Sequence, residues 1–310
     1  MTLRVTFLGT SGAVPTVDRN PSGILINREG DRLLFDCGEG TQQQMMRFGT
    51  GFDISHVFIT HVHGDHIYGL PGLLETLDFN DREASLTICV PAGKRSYLES
   101  FLERTVKNIG FQVEIIGVRP DEVVYETEEY EIRTFDVDHR SEAVGYILTE
   151  YDRKGKFNRE RAEELGVPVG PKFSELHNGN PVELEDGRII KPEQVVGSPR
   201  PGRKLVYTGD TRPAKMTKEV ATGAELLVHD GTFQDEHADR AAATGHSTAR
   251  EAGRIAADAS VKQLALVHIS SRYGERVHDH KKQAQEPFDG EVVVPDDGTT
   301  IEIPYPNSDR

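Results

Sequence analysis

Cysteine is nearly absent from this chain. Cys37 and Cys89 are the only two in 310 residues, which excludes a disulfide framework and a cysteine-built zinc site; both are expected in the core. No apolar run approaches the roughly 18 residues of a membrane span. The N-terminus, MTLRVTFLGTSG, starts directly as a strand, with neither a basic leader nor a cleavage site. The expected compartment is therefore the cytoplasm, and no membrane partner is expected. Internal repeats and low-complexity tracts are missing too. Positive charge is short: 36 Lys and Arg face 51 Asp and Glu, a net −15, which argues against a general nucleic-acid-binding surface. Lysine is the scarcer cation, 12 against 24 arginines. Two readings of the acidity stay open. One is a well-solvated acidic protein. The other is a halophilic one, in whose saline cytoplasm dense carboxylates hold water while salt screens their repulsion.

Hydrophobic residues make up 36% of the chain, enough for a core, and the length suits one large α/β domain carrying an insertion. Short apolar runs with turn signals at their ends read as strands, among them LRVTFLG, SGILINR, RLLFDCG, SHVFITH, LTICVP, YEIRTFDVDH, VGYILTE, KLVYTGD, ELLVHDG, QLALVHIS and EVVVPDDG. Helical patterns fit TQQQMMRFG, GLPGLLETLDF, GKRSYLESFLERTVKNIG and HSTAREAGRIAADAS. Strand-rich stretches in both halves, each with helices, predict two packed β-sheets with helices outside. Residues 152–203 break the pattern with many Pro, Gly and charges. This long irregular stretch reads as an inserted arm. Its first part, RKGKFNRER, carries five basic residues against one acid.

The stretch THVHGDHIYG, residues 60–69, follows an apolar strand with three histidines and an aspartate. His61 and His63 stand two apart, so an extended backbone points both to one side. Gly64 then lets the chain turn and bring Asp65 and His66 round. Neutral imidazoles and carboxylates are what zinc or a similar divalent ion takes up. Two ions need more ligands than one cluster supplies. Three candidates follow other apolar runs: His139 after TFDVD, Asp210 after LVYTG and His268 after LALV. Each alone reads equally well as a turn or capping residue, Asp210 as an Asx-turn. Together they predict a site where strand-end loops gather.

The set THVHGDH, DVDHR, YTGDT and LVHISSRY resembles the metallo-β-lactamase superfold, and more narrowly ribonuclease Z, the tRNA 3′-processing endonuclease. The likeness runs through nearly the whole chain, from FLGTSGAVPT and LLFDCGEGTQQQM to VHDGTF, GHST and HISSRY. GHST, HISSRY and LGVPVGPKFSEL are similar to the short form in particular. The resemblance implies a four-layer αββα fold with an inserted flexible arm, the arm of residues 152–203 serving as a tRNA-binding exosite within a single domain, 1–310. It implies two divalent metal ions per chain, zinc first and manganese as the alternative, and a homodimer. By position, His61, His63 and His139 would hold one ion, Asp65, His66 and His268 the second, and Asp210 would bridge them. Two such ions activate a water and stabilise in-line displacement at phosphorus, with Asp65 the candidate proton acceptor.

His246 in GHST is the other expected catalytic residue, contacting the scissile phosphate and assisting departure of the tRNA 3′-oxygen, with Asp230 orienting it. The same stretch starts a helix, with Thr248 and Glu251 as a capping box. In PTVDRN, Arg19 and Asn20 keep the family's tRNA-facing loop, while Val17 stands where the family has lysine, which puts a phosphate contact and discrimination against CCA ends in doubt. Arg153, Lys154, Lys156, Arg159, Arg161 and Lys172 are the expected arm contacts to precursor tRNA. The expected reaction removes the 3′ trailer, leaving a 3′-hydroxyl on the tRNA and a 5′-phosphate on the trailer. Rival readings are a hydrolase of the same fold acting on small phosphodiesters or thioesters, which needs no arm, and a non-catalytic nucleic-acid-binding module, which needs no ligand set. A scaffold explains none of the strand-end histidines.

Overall fold

Alternation along the strands decides which layer each side chain enters. In the strand Leu3–Gly9, Leu3, Val5 and Phe7 join one core and Leu8 another. Ile24 and Ile26 are divided from Leu25 in the same way, and Leu33 and Phe35 from Leu34. Successive side chains lie on opposite faces of a strand, so strands apolar on both faces need cover on both. The computed structural model, which describes residues 2–306, meets that need with two seven-stranded sheets packed face to face.

The first sheet runs in the order Thr300–Glu302, Leu3–Gly9, Gly23–Arg28, Asp31–Phe35, His56–Phe58, Leu86–Pro91, Val113–Val118. The second runs Glu291–Val293, Gln263–Val267, Leu226–Asp230, Lys204–Tyr207, Val144–Glu150, Tyr130–Asp136, Val123–Glu126. Between the sheets Phe35 stacks on Phe58 at 4.9 Å and is met edge-on by Tyr146 and Tyr207. Outside the first sheet, helices Thr41–Arg47, Leu70–Phe79 and Arg95–Thr105 bury Met45, Leu73, Leu77 and Leu98. Outside the second, Ala249–Asp258 and His278–Gln285 contribute Ala252, Ile255 and Ala284. Those two helices touch at Gly253, where a β-carbon would lie 2.3 Å from the Ala284 carbonyl oxygen. The layers are helix, sheet, sheet, helix, as expected.

Residues Glu150–Gly202 form a separate small unit, joined by Tyr305. The segment is less irregular than its composition suggests. It holds helices Arg159–Glu164 and Pro171–His177 and a two-stranded sheet of Val182–Glu183 with Ile189–Ile190. Ala162, Val167, Leu176, Val182 and Ile190 form its core, with Phe157 and Phe173 against it. Apolar residues here are spaced by turns rather than by helix or strand periods, which hides a core this small from a periodicity reading. Among the described residues no helix is long and apolar enough to cross a membrane.

Candidate metal centre and active site

Strand ends of the larger unit deliver every expected ligand to one place. His61 and His63 follow the strand His56–Phe58, with His61 Nε2 2.9 Å from His63 Nδ1. Asp65 and His66 lie on the short helix Gly64–Ile67. Gly64 is helical and needs no left-handed backbone, so the turn expected there is made by starting a helix. His139 follows Tyr130–Asp136, Asp210 follows Lys204–Tyr207, and His268 follows Gln263–Val267. Gly209, at φ 60°, lets Asp210 turn inward, and a β-carbon there would lie 2.7 Å from Thr60. His268 itself takes a left-handed φ of 62°.

The ligand atoms fall into two overlapping sets. His61, His63, His139 and Asp210 form one, and Asp65, His66 and His268 the other. Asp210 stands between them. Its Oδ2 lies 3.5 Å from His61 Nε2, and its Oδ1 lies 3.4 Å from His66 Nε2 and 3.3 Å from His268 Nε2. Asp65 Oδ2 lies 3.1 Å from His268 Nε2 and accepts the Ala13 amide at 2.8 Å.

A third grouping brings Asp210 and His268 together with Asp230 and His246, but its last two members are committed to each other. Asp230 Oδ2 accepts from His246 Nδ1 at 2.8 Å and from the Thr211 amide at 3.1 Å. Its Oδ1 accepts from the amide and hydroxyl of Thr232 at 2.8 and 2.7 Å. That carboxylate is filled, and the imidazole is turned towards it.

The donor set fits divalent ions on two further grounds. His139 Nε2 and Asp210 Oδ1 are buried without a hydrogen-bond partner among the described residues, a costly state for polar atoms unless a cation takes them. His139 Nδ1 meets the Gly245 carbonyl at 2.9 Å, which fixes the tautomer with Nε2 as the free acceptor. Charge agrees. Burial opposes a proton on His66, yet the carboxylates of Asp210, Asp36 and Asp65 outweigh it and hold its pKa well above the ordinary 6.5. A cluster that draws protons this strongly lacks positive charge. Burial, then His66, hold His61 well below the ordinary value, so it stays neutral, as a ligand must.

Sequence reasoning gave no role to the groups that aim these ligands. Asp36, fully buried after the strand Asp31–Phe35, accepts from His66 Nδ1 at 2.8 Å, from the Tyr207 hydroxyl at 2.7 Å and from the Thr60 amide at 2.8 Å. Thr232 Oγ1 does the same for His268 Nδ1 at 2.8 Å. A carboxylate directly after the apolar run LLF carries the same signal as Asp210 and could have been found by it. The capping box is present: Thr248 and Glu251 exchange hydrogen bonds, and Glu251 also takes both ends of the Arg212 guanidinium.

Other expected residues are placed elsewhere. Arg19 gives its guanidinium to Thr10 Oγ1 at 2.6 Å, to the Pro295 carbonyl at 2.7 Å and to Asp296, and Asn20 Nδ2 reaches the Glu39 carbonyl. Both serve the fold in this structure, while Val17 stands fully exposed at the tip of their loop. In the small unit Arg153 lies over the Tyr305 ring, Lys154 meets Asn178, and Lys172 meets the Glu183 carbonyl. Arg159 and Arg161 pair with Glu163 and Glu164. The local excess of five bases over one acid is thus offset one turn later, and residues 150–202 hold nine Lys and Arg against ten Asp and Glu. In a chain of −15 that near balance still leaves the segment less acidic than the chain as a whole.

A β-sandwich with this ligand set at its strand ends defines a hydrolase of the metallo-β-lactamase fold. Residues 181–269 match the family model for a beta-lactamase superfamily domain, and residues 3–150 that for the anti-Pycsar protein Apyc1. The chain is 59% identical to the ribonuclease Z of Haloferax volcanii over 309 residues, covering all of this chain and 98% of that one. It is also 59% identical to the ribonuclease Z of Natronomonas pharaonis, over 99% of this chain and all of that one. The crystal structure of the short form of human tRNase Z superposes with a TM-score of 0.69 at 26% identity, covering 97% of this chain and 99% of that chain. The chain belongs to the ribonuclease Z family.

Proposed function

We propose that this chain is a metal-dependent endoribonuclease that removes the 3′ trailer from precursor tRNA, leaving a 3′-hydroxyl on the tRNA and a 5′-phosphate on the trailer. The observation that carries the reading is full-length identity to ribonuclease Z proteins together with convergence of all seven expected ligands at one end of the sandwich. His61, His63 and His139 would hold one divalent ion and Asp65, His66 and His268 the other, with Asp210 placed to serve both. Zinc suits tetrahedral sites of imidazole and carboxylate, and manganese is the alternative. Such ions supply Lewis acidity, making a water acidic enough to attack and offsetting charge on the phosphate oxygens.

The chain's own groups do the rest. Asp65 is held well below the carboxylate range: burial opposes the charge, but His66 and His268 outweigh it. A carboxylate this weakly basic orients the attacking water and passes its proton on. Burial opposes a proton on His246 as well, yet Asp230, then Asp210, raise its pKa to about 9. It is therefore a protonated acid at neutral pH, suited to deliver a proton to the departing 3′-oxygen.

The smaller unit, rather than Arg19 and Asn20, is the tRNA-gripping element in this proposal, through Arg153, Lys154, Lys156 and Lys172. The expected state is a cytoplasmic homodimer, and the acidity of the chain supports a saline cytoplasm. Loading the chelated protein with zinc or manganese and offering a 3′-extended tRNA beside small cyclic phosphodiesters tests the reading. Metal-dependent cutting at the tRNA 3′ boundary is expected. Hydrolysis of the small esters with intact tRNA would return the protein to the rival class.

A further inference from the structure

The C-terminal stretch VVPDDGTT begins 25 positions beyond His268, the last of the expected ligands, yet it grips the site from behind. Asp297 Oδ1 accepts from Thr10 Oγ1 at 2.8 Å. Its Oδ2 accepts from the Asn20 amide and from Gln44 Nε2, both at 2.7 Å. One carboxylate therefore ties the end of the strand Leu3–Gly9, the loop 15–20 and the helix Thr41–Arg47 together. Arg19 closes the same knot through Thr10 Oγ1, Pro295 and Asp296.

From Thr10 the chain runs into the metal centre within three residues. The Thr10 carbonyl accepts from the Ile269 amide at 2.9 Å, and Ser11–Gly12 pairs in parallel with Ile269–Ser270. A β-carbon on Gly12 would lie 2.5 Å from His268 Nδ1, so the backbone is pressed against that ring. Ala13, in a left-handed φ of 65°, donates its amide to Asp65 Oδ2. Both residues touched, Asp65 and His268, belong to the same ligand set, and among the described residues the segment makes no hydrogen bond to His61, His63 or His139.

We propose that Asp297 is a positioning residue for one of the two metal positions: it fixes residues 10–13 so that the Ala13 amide and the Gly12 backbone hold Asp65 and His268 in place. The inference rests on the two-ion reading above. Groups that aim metal ligands typically govern affinity or activity by about 10- to 100-fold. Asparagine at 297 can still accept from Asn20 and Gln44 with its carbonyl oxygen and donate to the Thr10 hydroxyl; alanine can do neither.

The test is calorimetric zinc titration of the chelated full-length protein, with kcat and KM on 3′-extended tRNA in parallel. Wild type should bind two ions. Asp297→Ala should keep the first and bind the second about 10- to 100-fold more weakly, with kcat reduced and KM nearly unchanged, and Asp297→Asn should recover most of both. As a control, Asp31→Ala removes a carboxylate that takes Tyr125, Tyr130 and Ser55 hydroxyls and touches no ligand. It should lower the melting temperature and leave both ions alone. Unchanged second-ion affinity in Asp297→Ala, or equal loss of both ions, would overturn the proposal. A wild type that binds a single ion would remove its premise, and that result would count against the two-ion reading itself.

Discussion

Replacing Asp230 by Asn separates proton delivery from metal binding. The substitution keeps shape and burial but removes the charge that holds the His246 proton. The raised pKa, about 9 against an ordinary 6.5, corresponds to about 3 kcal/mol favouring the imidazolium. A raised folded pKa means the protonated form prevails below about 9 and is lost above it. At pH 7.5 wild-type His246 is almost fully protonated, whereas a histidine near its ordinary pKa is protonated in only about one molecule in ten. The Asn side chain also turns an NH2 towards either Thr211 or Thr232, whose amides both donate to Asp230, and disturbs the tautomer and aim of the ring. Lost protonation and lost aim together predict a fall of about 100- to 1000-fold in single-turnover cleavage, within the range of general acid catalysis. The assay is the cleavage rate of a 3′-extended tRNA from pH 6 to 10, with metal content measured on the same samples. Two ions should remain, and the alkaline fall in rate should move from near 9 to below neutrality. An Asp230→Asn protein with full metal, normal rate and an unmoved alkaline limb would refute the acid role of His246.

Asp65→Ala and His66→Ala should each lower the rate by about 10³-fold, the several kcal/mol an ion contributes to the transition state, and elemental analysis should find about one ion in place of two; a folded Asp65→Ala enzyme with near-normal turnover would contradict its role. Because the arm folds on its own core, cutting inside it would expose Ala162 and Leu176, so the whole of residues 151–201 should be exchanged for a short Gly-Ser linker. Gly202 abuts the Glu150 carbonyl, where a β-carbon would lie 2.1 Å away, so the ends are near enough to close. Precursor-tRNA cleavage should then fall by about 100-fold or more through lost positioning while a chromogenic phosphodiester is still hydrolysed, and equal loss of both would mean the arm supports the fold. Affinity for tRNA should fall with salt at a slope of about −0.9 per phosphate contact, whereas the fold should persist in molar KCl; melting only at high salt would refute the halophilic reading.

Much of this was legible because the strands alternate cleanly. Runs such as RLLFDCG and KLVYTGD carry their apolar faces and their turn signals in one stretch, and the expected metal ligands follow such runs, whereas His246 precedes a helix. The edge strands Val113–Val118 and Val123–Glu126 were not legible, since edges are half covered and mix polar with apolar residues. The helix His278–Gln285 escaped for a similar reason: only His280 and Ala284 are buried on it. The helix read over residues 93–110 stops at Thr105, where Val106 turns extended. At the site, ligands announce themselves by residue type and spacing, but aiming groups do not. Asp36, Thr232 and Asp297 matter through hydrogen bonds to positions 30, 36 and 253 or more residues away, and no local pattern encodes such a distance. The basic run RKGKFNRER does not set the charge of the whole arm, because Glu163 and Glu164 lie just past it.

The most direct test of water attack at a two-ion centre is cleavage of a 3′-extended tRNA in water enriched in oxygen-18, with both product ends analysed by mass spectrometry. The account predicts one heavy oxygen in the 5′-phosphate of the trailer and an unlabelled 3′-hydroxyl on the tRNA, with no product after chelation. A 2′,3′-cyclic phosphate on the tRNA, or label on its 3′ end, would contradict it.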